Sequence, residues 1–286
     1  MERTTFLTVL VLFALAAYFV YGMVAWNLAI SFTDWRGAVP TYNFVGLSNY
    51  SSVITSELFG KSFLNTVILF SAIPLSILVG LFLAFLLNQR PMGLRIFILI
   101  FLVPFAFSLV VTGVVWIWMF DPTRGAVNSI LRTFGLGFLA CDWYLSPRTV
   151  LISMIIPMVW QFSGYCALIL FAGLRSVPRK ELEEARRRGM GWWKIFWKVE
   201  FPRLRIPILS CAVVLFVFTL KAAFDLVWTM VQGGPGTASY NLPILVFVEA
   251  YQKLNVAYGA AVGNILVLLV LCIVLPYVWW TYRGHR

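Results

Sequence analysis

The chain has 286 residues, 61% of them hydrophobic and 12% charged, with a mean hydropathy of +0.89 and a formal net charge of +11. Soluble domains carry roughly 25% charged residues, so this composition excludes a soluble globular enzyme and a disordered chain. It also excludes nucleic-acid binding as the meaning of the basic excess, which has to be read from where the charge falls.

A bilayer core of about 30 Å takes roughly 20 helical residues to cross. Six apolar stretches meet that length: Phe6 to Ile30, Phe63 to Leu87, Ile96 to Phe120, Val150 to Phe171, Ile206 to Met230 and Ala260 to Tyr282. None alternates with period two, as barrel strands do. The chain therefore reads as an all-α polytopic membrane protein with six transmembrane helices, one membrane domain over residues 1–286. In the first stretch Ala14, Ala16 and Ala17 offer small residues for a signal peptidase, but the run outlasts a signal sequence and reads as a span.

Orientation follows from the basic residues of the connecting segments. With the N-terminus inside, the cytoplasmic side holds Arg3, Arg90, Arg95, ten residues between Arg175 and Arg205, Arg283 and Arg286; the outside holds Arg36, Lys61, Arg124, Arg132, Arg148 and Lys253. The asymmetry places both termini in the cytoplasm. The outer segments Thr33 to Tyr50 and Asp121 to Gly137 are rich in turn residues, with a turn starting at Asp121-Pro122. They read as plain connectors, the alternative being a short amphipathic helix after Asn49 or Asn128.

The inner segment from Val177 to Pro207 is too charged for lipid and too periodic for a linker. Pro178 suits a first helical turn. Glu181, Glu183 and Glu184 then sit at the positive end of a helix dipole and Arg186, Arg187 and Arg188 at the negative end. The spacing predicts i,i+4 ion pairs Glu183–Arg187 and Glu184–Arg188. Gly189 closes this helix, and a second short one, Trp192 to Val199, ends before Pro202. The result is a helix-Gly-helix element, which physics alone fits equally to an anionic lipid surface or to a docked cytoplasmic protein.

Cys166, Cys211 and Cys272 fall inside spans, Cys141 stands alone in an outer loop, and there is no CxxC, so neither a disulfide framework nor a zinc site is expected. His285, the one histidine, reads as a solvated tail residue.

The segment EEARRRGMGWWKIFWKVEFP, Glu183 to Pro202, resembles the EAA motif of the permease subunits of bacterial and archaeal ABC importers. Glu183, Glu184 and Ala185 occupy the EAA positions, Gly189 the glycine, Val199 the aliphatic position and Phe201-Pro202 the Leu-Pro. Two positions depart from the pattern: Arg188 stands where an Asp is frequent, and Glu184 where the motif has Ala. One span later, Gln232-Gly233-Gly234-Pro235 resembles the Gly-Gly-Pro signature of carbohydrate permeases, and Asn241 to Ala261 the segment that follows it. The chain is most similar to the first of two permease subunits, as in glycerol-phosphate, lactose and glucose importers.

The resemblance implies the type I ABC importer permease fold, with residues 178–202 as a coupling loop whose Glu183, Glu184, Ala185 and Gly189 sit in a cleft of an ATPase subunit. It implies a second permease subunit, two ATPase subunits that bind ATP and Mg, an extracellular substrate-binding protein, and the plasma membrane of a prokaryote. No Walker motif occurs, so this chain is expected to hold no cofactor and to catalyse nothing itself.

Candidate pathway residues come from polar groups inside spans, where an ionised side chain costs at least about 2.5 to 3.5 kcal/mol. Lys221 and Asp225, four residues apart on span five, either pair structurally or line the pathway. On span four Trp160, Gln161 and Tyr165 fall at helical spacing, where related sugar permeases place binding groups; an aromatic face and an amide suit a sugar ring and its hydroxyls. Thr219 and Asn264 complete the set. Pro157 and Gly164 are expected to loosen span four. The competing readings are a permease for a non-sugar solute and, from another class, an intramembrane lipid-modifying enzyme using Lys221 and Asp225, which lacks a carboxylate or histidine cluster for acid–base chemistry.

Overall fold

The computed structural model describes residues 2–89 and 91–283; Arg90, His285 and Arg286 lie outside the described residues, so the readings placed on them are not addressed below. The described chain is helical: α1 (Glu2–Ile30), α2 (Ser48–Ile54), α3 (Glu57–Leu69), α4 (Ala72–Asn88), α5 (Leu94–Ala106), α6 (Leu109–Met119), α7 (Ala126–Thr133), α8 (Val150–Arg175), α9 (Arg179–Arg187), α10 (Trp192–Ile195), α11 (Phe201–Val231), α12 (Leu242–Phe247) and α13 (Val256–Arg283). Five helical stretches are long and apolar enough to cross a membrane, and α5 with α6 makes a sixth if counted as one broken span.

Contacts divide the chain into two compact units, Met1–Phe63 with Leu242–Arg286, and Leu64–Asn241. In the first, α13 packs on α1, α2 and α12. Its core joins Val53 to Leu242, Leu245, Ala261 and Val262. Polar side chains tie the ends of the helices together. Asn49 donates to the carbonyls of Ser31 (2.9 Å) and Thr33 (2.8 Å), so α2 anchors the chain as it leaves α1. The helix α12, continued by a wide π-type turn over Val248–Gln252, was not foreseen. Its eleven residues are too short to cross a bilayer.

The second unit is built on α4 against α8. Lipid supplies no hydrophobic drive between helices, so close van der Waals approach has to hold them. The sequence provides it: Ala72, Ser76, Gly80 and Ala84 recur every four residues and are buried as one stripe. A Cβ on Gly80 would lie 2.4 Å from that of Cys166, so only glycine lets α4 close this far onto α8.

Three expectations change here. The third apolar stretch is broken: α5 ends after Pro104, Phe107 is extended, and α6 leaves at 101°. Ser108 caps α6 by accepting from the amide of Val111 at 3.2 Å. A proline in the last turn of α5 followed by a good N-cap residue is a stop and a start four residues apart. Second, α8 runs unbroken through Pro157, and Gly164 is a contact point rather than a weak one. Third, Pro202 does not end the second loop helix. The α10 turn widens over Phe196–Glu200, where the Phe201 amide bonds to the Phe196 carbonyl, and runs into α11 with Pro202 in its first turn. There the missing N–H is tolerated.

The outer segment after α6 is ordered, not a plain connector. Asp121 accepts from the amides of Thr123 (2.9 Å) and Arg124 (2.7 Å), making the expected turn. The Arg124 amide, then the Thr123 hydroxyl and amide, hold its carboxyl below the usual aspartate range. Asn128 of α7 bonds to the carbonyl of Cys141 and accepts from the indole of Trp143 at 2.8 Å.

Candidate functional site

The loop element takes the expected form. Its first helix, α9, starts after Pro178 and stops at Gly189, whose φ of +72° lies in the left-handed region that favours glycine. Ala185 is buried, while Glu183 and Glu184 are exposed. Ala185 thus faces inward, directly after two carboxylates that face solvent. Of the two ion pairs expected, Glu184–Arg188 forms and Glu183–Arg187 does not. At an exposed site such a pair is worth about 0.3–0.5 kcal/mol, too little to fix one rotamer. A pairing that sequence spacing did not suggest, Glu181 to Arg203 at 2.7 Å, ties α9 to the foot of α11.

The second cluster surrounds the break between α5 and α6. In a span, a main-chain carbonyl with no helical partner costs several kcal/mol. Gln161 of α8 answers it, donating through Nε2 to the Phe107 carbonyl at 2.8 Å. Because that partner is an acceptor, the side chain's orientation is fixed, and Oε1 is buried without a hydrogen bond. The Thr219 hydroxyl on α11 and the Thr112 hydroxyl on α6 are likewise buried and unpartnered. Next to Gln161, Gly164 is pressed against α5: a Cβ there would fall 1.6 Å from the Phe101 carbonyl oxygen.

Aromatic rings pack around this cluster. Trp160 meets Trp116 edge-on at 5.9 Å and Phe107 at 6.3 Å; Tyr165 stacks on Phe105 at 4.9 Å, and Phe105 meets Phe218 at 5.3 Å. The structure thus brings Trp160, Gln161, Tyr165 and Thr219 into one helical unit with partners that sequence reasoning did not single out: Phe105, Phe107, Thr112, Trp116 and Phe218. Thr112 had a signal, a hydroxyl in an apolar run; the phenylalanines had none, being indistinguishable from lipid-facing residues.

Lys221 and Asp225 share a face of α11 and both lie among the described residues, yet no ion pair joins them. Lys221 is exposed and Asp225 half-buried. Asn264 belongs to the other unit. It accepts from Asn27 at 2.7 Å and donates to the Tyr50 hydroxyl at 3.0 Å, which in turn meets Ser31 at 2.7 Å. Its amide is engaged in a chain joining α13 to α1 and α2.

The Gly-Gly-Pro segment closes α11. Gln232, Gly233 and Gly236 all have positive φ. Ser239 donates to the Gly234 carbonyl at 2.7 Å. Asn65 of α3 donates to the carbonyls of Ala238 (2.9 Å) and Tyr240 (2.7 Å), and Asn241, fully buried, to that of Ala223 (2.7 Å). These amides hold a turn whose backbone groups have no helix to pair them.

The family model for the binding-protein-dependent transport system inner membrane component matches residues 56–281. The chain is 43% identical to a probable ABC transporter permease protein of Pyrococcus horikoshii over 292 aligned residues, covering all of both. It is 34% identical to a xylose/arabinose import permease protein of Haloferax volcanii, over 95% of this chain and 86% of that one. Among solved structures, a bacterial ABC transporter involved in the import of the acidic polysaccharide alginate matches with a TM-score of 0.79 at 18% identity, covering 100% of this chain and 98% of that one. That likeness shows the fold, and the family match shows the rest: this chain belongs to the inner membrane components of binding-protein-dependent transport systems, the permease subunits of ABC transporters, which carry out transport and not catalysis.

Proposed function

We propose that the chain forms half of the translocation pathway of an importer for a sugar or a related polyol, moved by ATP hydrolysis in partner subunits. The observation that carries the reading is α9: an outward acidic edge of Glu183 and Glu184, a buried Ala185 and a left-handed Gly189, tied by Glu181–Arg203 to the foot of α11. The tie matters because a floppy connector would absorb a displacement of α9 instead of passing it to a span, and an exposed pair of this kind contributes about 0.2–1 kcal/mol to it. On this reading ATP and Mg bind in two ATPase subunits whose clefts receive α9 and its counterpart on a second permease subunit. A substrate-binding protein delivers from outside, residues 1–286 act as one domain, and both termini face the cytoplasm of a prokaryotic cell.

The cargo assignment draws on relatives named for xylose and arabinose and on a fold neighbour that imports alginate. The local chemistry agrees with it. The buried, unpartnered Oε1 of Gln161 and Thr219 hydroxyl would accept from ligand hydroxyls once the helices part around them, and the rings of Trp160 and Tyr165 would give the flat apolar faces that sugar rings pack on. An exposed Lys221 on a span needs water or a partner around it, which suits a face of α11 turned to the pathway or to the second permease subunit.

The test is reconstitution with the partner subunits and binding protein in vesicles. ATP hydrolysis should rise with binding protein loaded with a saccharide. Stimulation by amino acids and by no saccharide would overturn the cargo assignment, and a complex that forms equally well with Glu183→Arg would overturn the role of α9.

A further inference from the structure

The cytoplasm-proximal end of α4 borders three adjoining hollows whose lining changes from apolar to cationic. The first, about 320 Å³, is a groove of Leu78, Phe82, Phe85, Trp192, Trp193 and Phe196. The second, about 370 Å³, shares Phe85 and Trp192 with it and adds Asn88, Arg186 and Glu200. The third, about 530 Å³, shares Asn88 and Arg186 with the second and adds Arg175, Arg179 and Glu183.

Three facts identify the occupant. The groove rims are open: Leu78 and Phe82 are each 62% exposed, Trp192 66% and Trp193 57%. From Leu78 to Asn88 the helix rises about 15 Å, half of the roughly 30 Å hydrocarbon core and so the depth of one leaflet. Finally, Asn88 and Arg175 are the last residues of two apolar helices, so the cationic end lies where their apolar stretches give way to the charged segment. None of Arg175, Arg179 and Arg186 forms an ion pair within the described residues; Arg175 lies over the Phe171 ring at 5.0 Å. The carboxylates facing them are Glu183 and Glu200, which leaves the cationic charge in excess.

We propose that an anionic phospholipid binds here, with one acyl chain in the groove of Leu78, Phe82, Trp192 and Phe196 and its phosphate against Arg175, Arg179 and Arg186. Guanidinium forks suit phosphate oxygens, and basic pockets between spans at this depth bind anionic headgroups. The lipid fills the space between α9 and the ends of α4 and α8, bracing a helix that protein contacts alone hold lightly.

Native mass spectrometry of the purified protein, titrated with phosphatidylglycerol or phosphatidylcholine, tests this without reference to transport. Phosphatidylglycerol should bind at least about tenfold more tightly, given roughly fivefold per basic residue near the headgroups. The preference should vanish in R175Q/R179Q/R186Q and survive in K194Q/K198Q/R205Q, which removes the same charge from the same loop. L78A/F82A should weaken both lipids, and excess inorganic phosphate should not displace phosphatidylglycerol. Equal binding of the two lipids, an equal loss in both triple variants, or no effect of L78A/F82A would each overturn the site. Displacement by phosphate would assign the cavity to a free anion and overturn the acyl-anchored reading.

Discussion

Gln161 donates to the main-chain carbonyl of Phe107 at 2.8 Å, across the gap where α5 stops and α6 has yet to begin. One side chain thus lets a span break at 101° without leaving its carbonyl unpaired. Its other end, Oε1, is buried with no hydrogen-bond partner. Replacement by leucine removes both polar ends. We expect Gln161→Leu to lower stability by about 1–3 kcal/mol, the cost of an orphaned buried acceptor, and to abolish saccharide-stimulated ATP hydrolysis. Gln161→Glu should lose the donor yet keep an acceptor. Thermal midpoints alongside stimulated rates separate the two effects, and an unchanged midpoint for the leucine variant would refute the bracing role.

Gly164 and Gly189 are glycines for different reasons, and alanine at each should tell them apart. At Gly164 the new Cβ would fall 1.6 Å from the Phe101 carbonyl oxygen, so α5 and α8 must separate. We expect Gly164→Ala to fail to accumulate as a monodisperse protein. At Gly189 nothing lies within 4 Å, and the cost is the φ of +72° alone, about 1–2 kcal/mol. That variant should fold and purify, which gel filtration of the two side by side would decide.

Neighbouring glutamates on α9 should respond unequally. Glu184 is engaged with Arg188 in an exposed pair, so Glu184→Ala should change its own stability by no more than about 0.5 kcal/mol. Glu183 has no such engagement with Arg187, and Glu183→Arg reverses its charge. Pull-down with the ATPase subunit should show association lost in Glu183→Arg. Gly189→Pro should lose it as well, because the left-handed φ is closed to proline.

Asn264 should behave as a structural residue. Asn264→Ala removes its bonds to Asn27 and Tyr50, each worth about 0.5–1.5 kcal/mol. Asn27→Ala breaks one of the same bonds, so the double variant should cost less than the sum of the singles. Substrate preference measured on the same proteins should not move; a changed saccharide profile would return Asn264 to the pathway.

The spans were legible because length and hydropathy alone specify them, and the loop because Pro178 and Gly189 punctuate it. What escaped was decided by packing. Phe105, Phe107 and Phe218 read as grease until the break at Phe107 gathers them around Gln161. Pro104 reads as a kink in an apolar run, and only the Ser108 cap makes it an ending. Asn27 and Asn65 carried a signal, an amide within apolar sequence, whose use depends on carbonyls and side chains more than 170 residues away. Helix α12 was hidden by its brevity, since a short apolar run does not distinguish strand from helix.

One further property lies in the continuity of α10 with α11. The helix from Trp192 to Val231 runs for 40 residues, about 60 Å, twice the thickness of the hydrocarbon core. Eleven residues past its start the Glu181–Arg203 pair links it to α9, and at its far end Asn65 and Asn241 hold the turn that follows. Between Arg203 and Val231 lie about 40 Å of one continuous helix, so the two ties are joined by a single lever longer than the hydrocarbon core is thick.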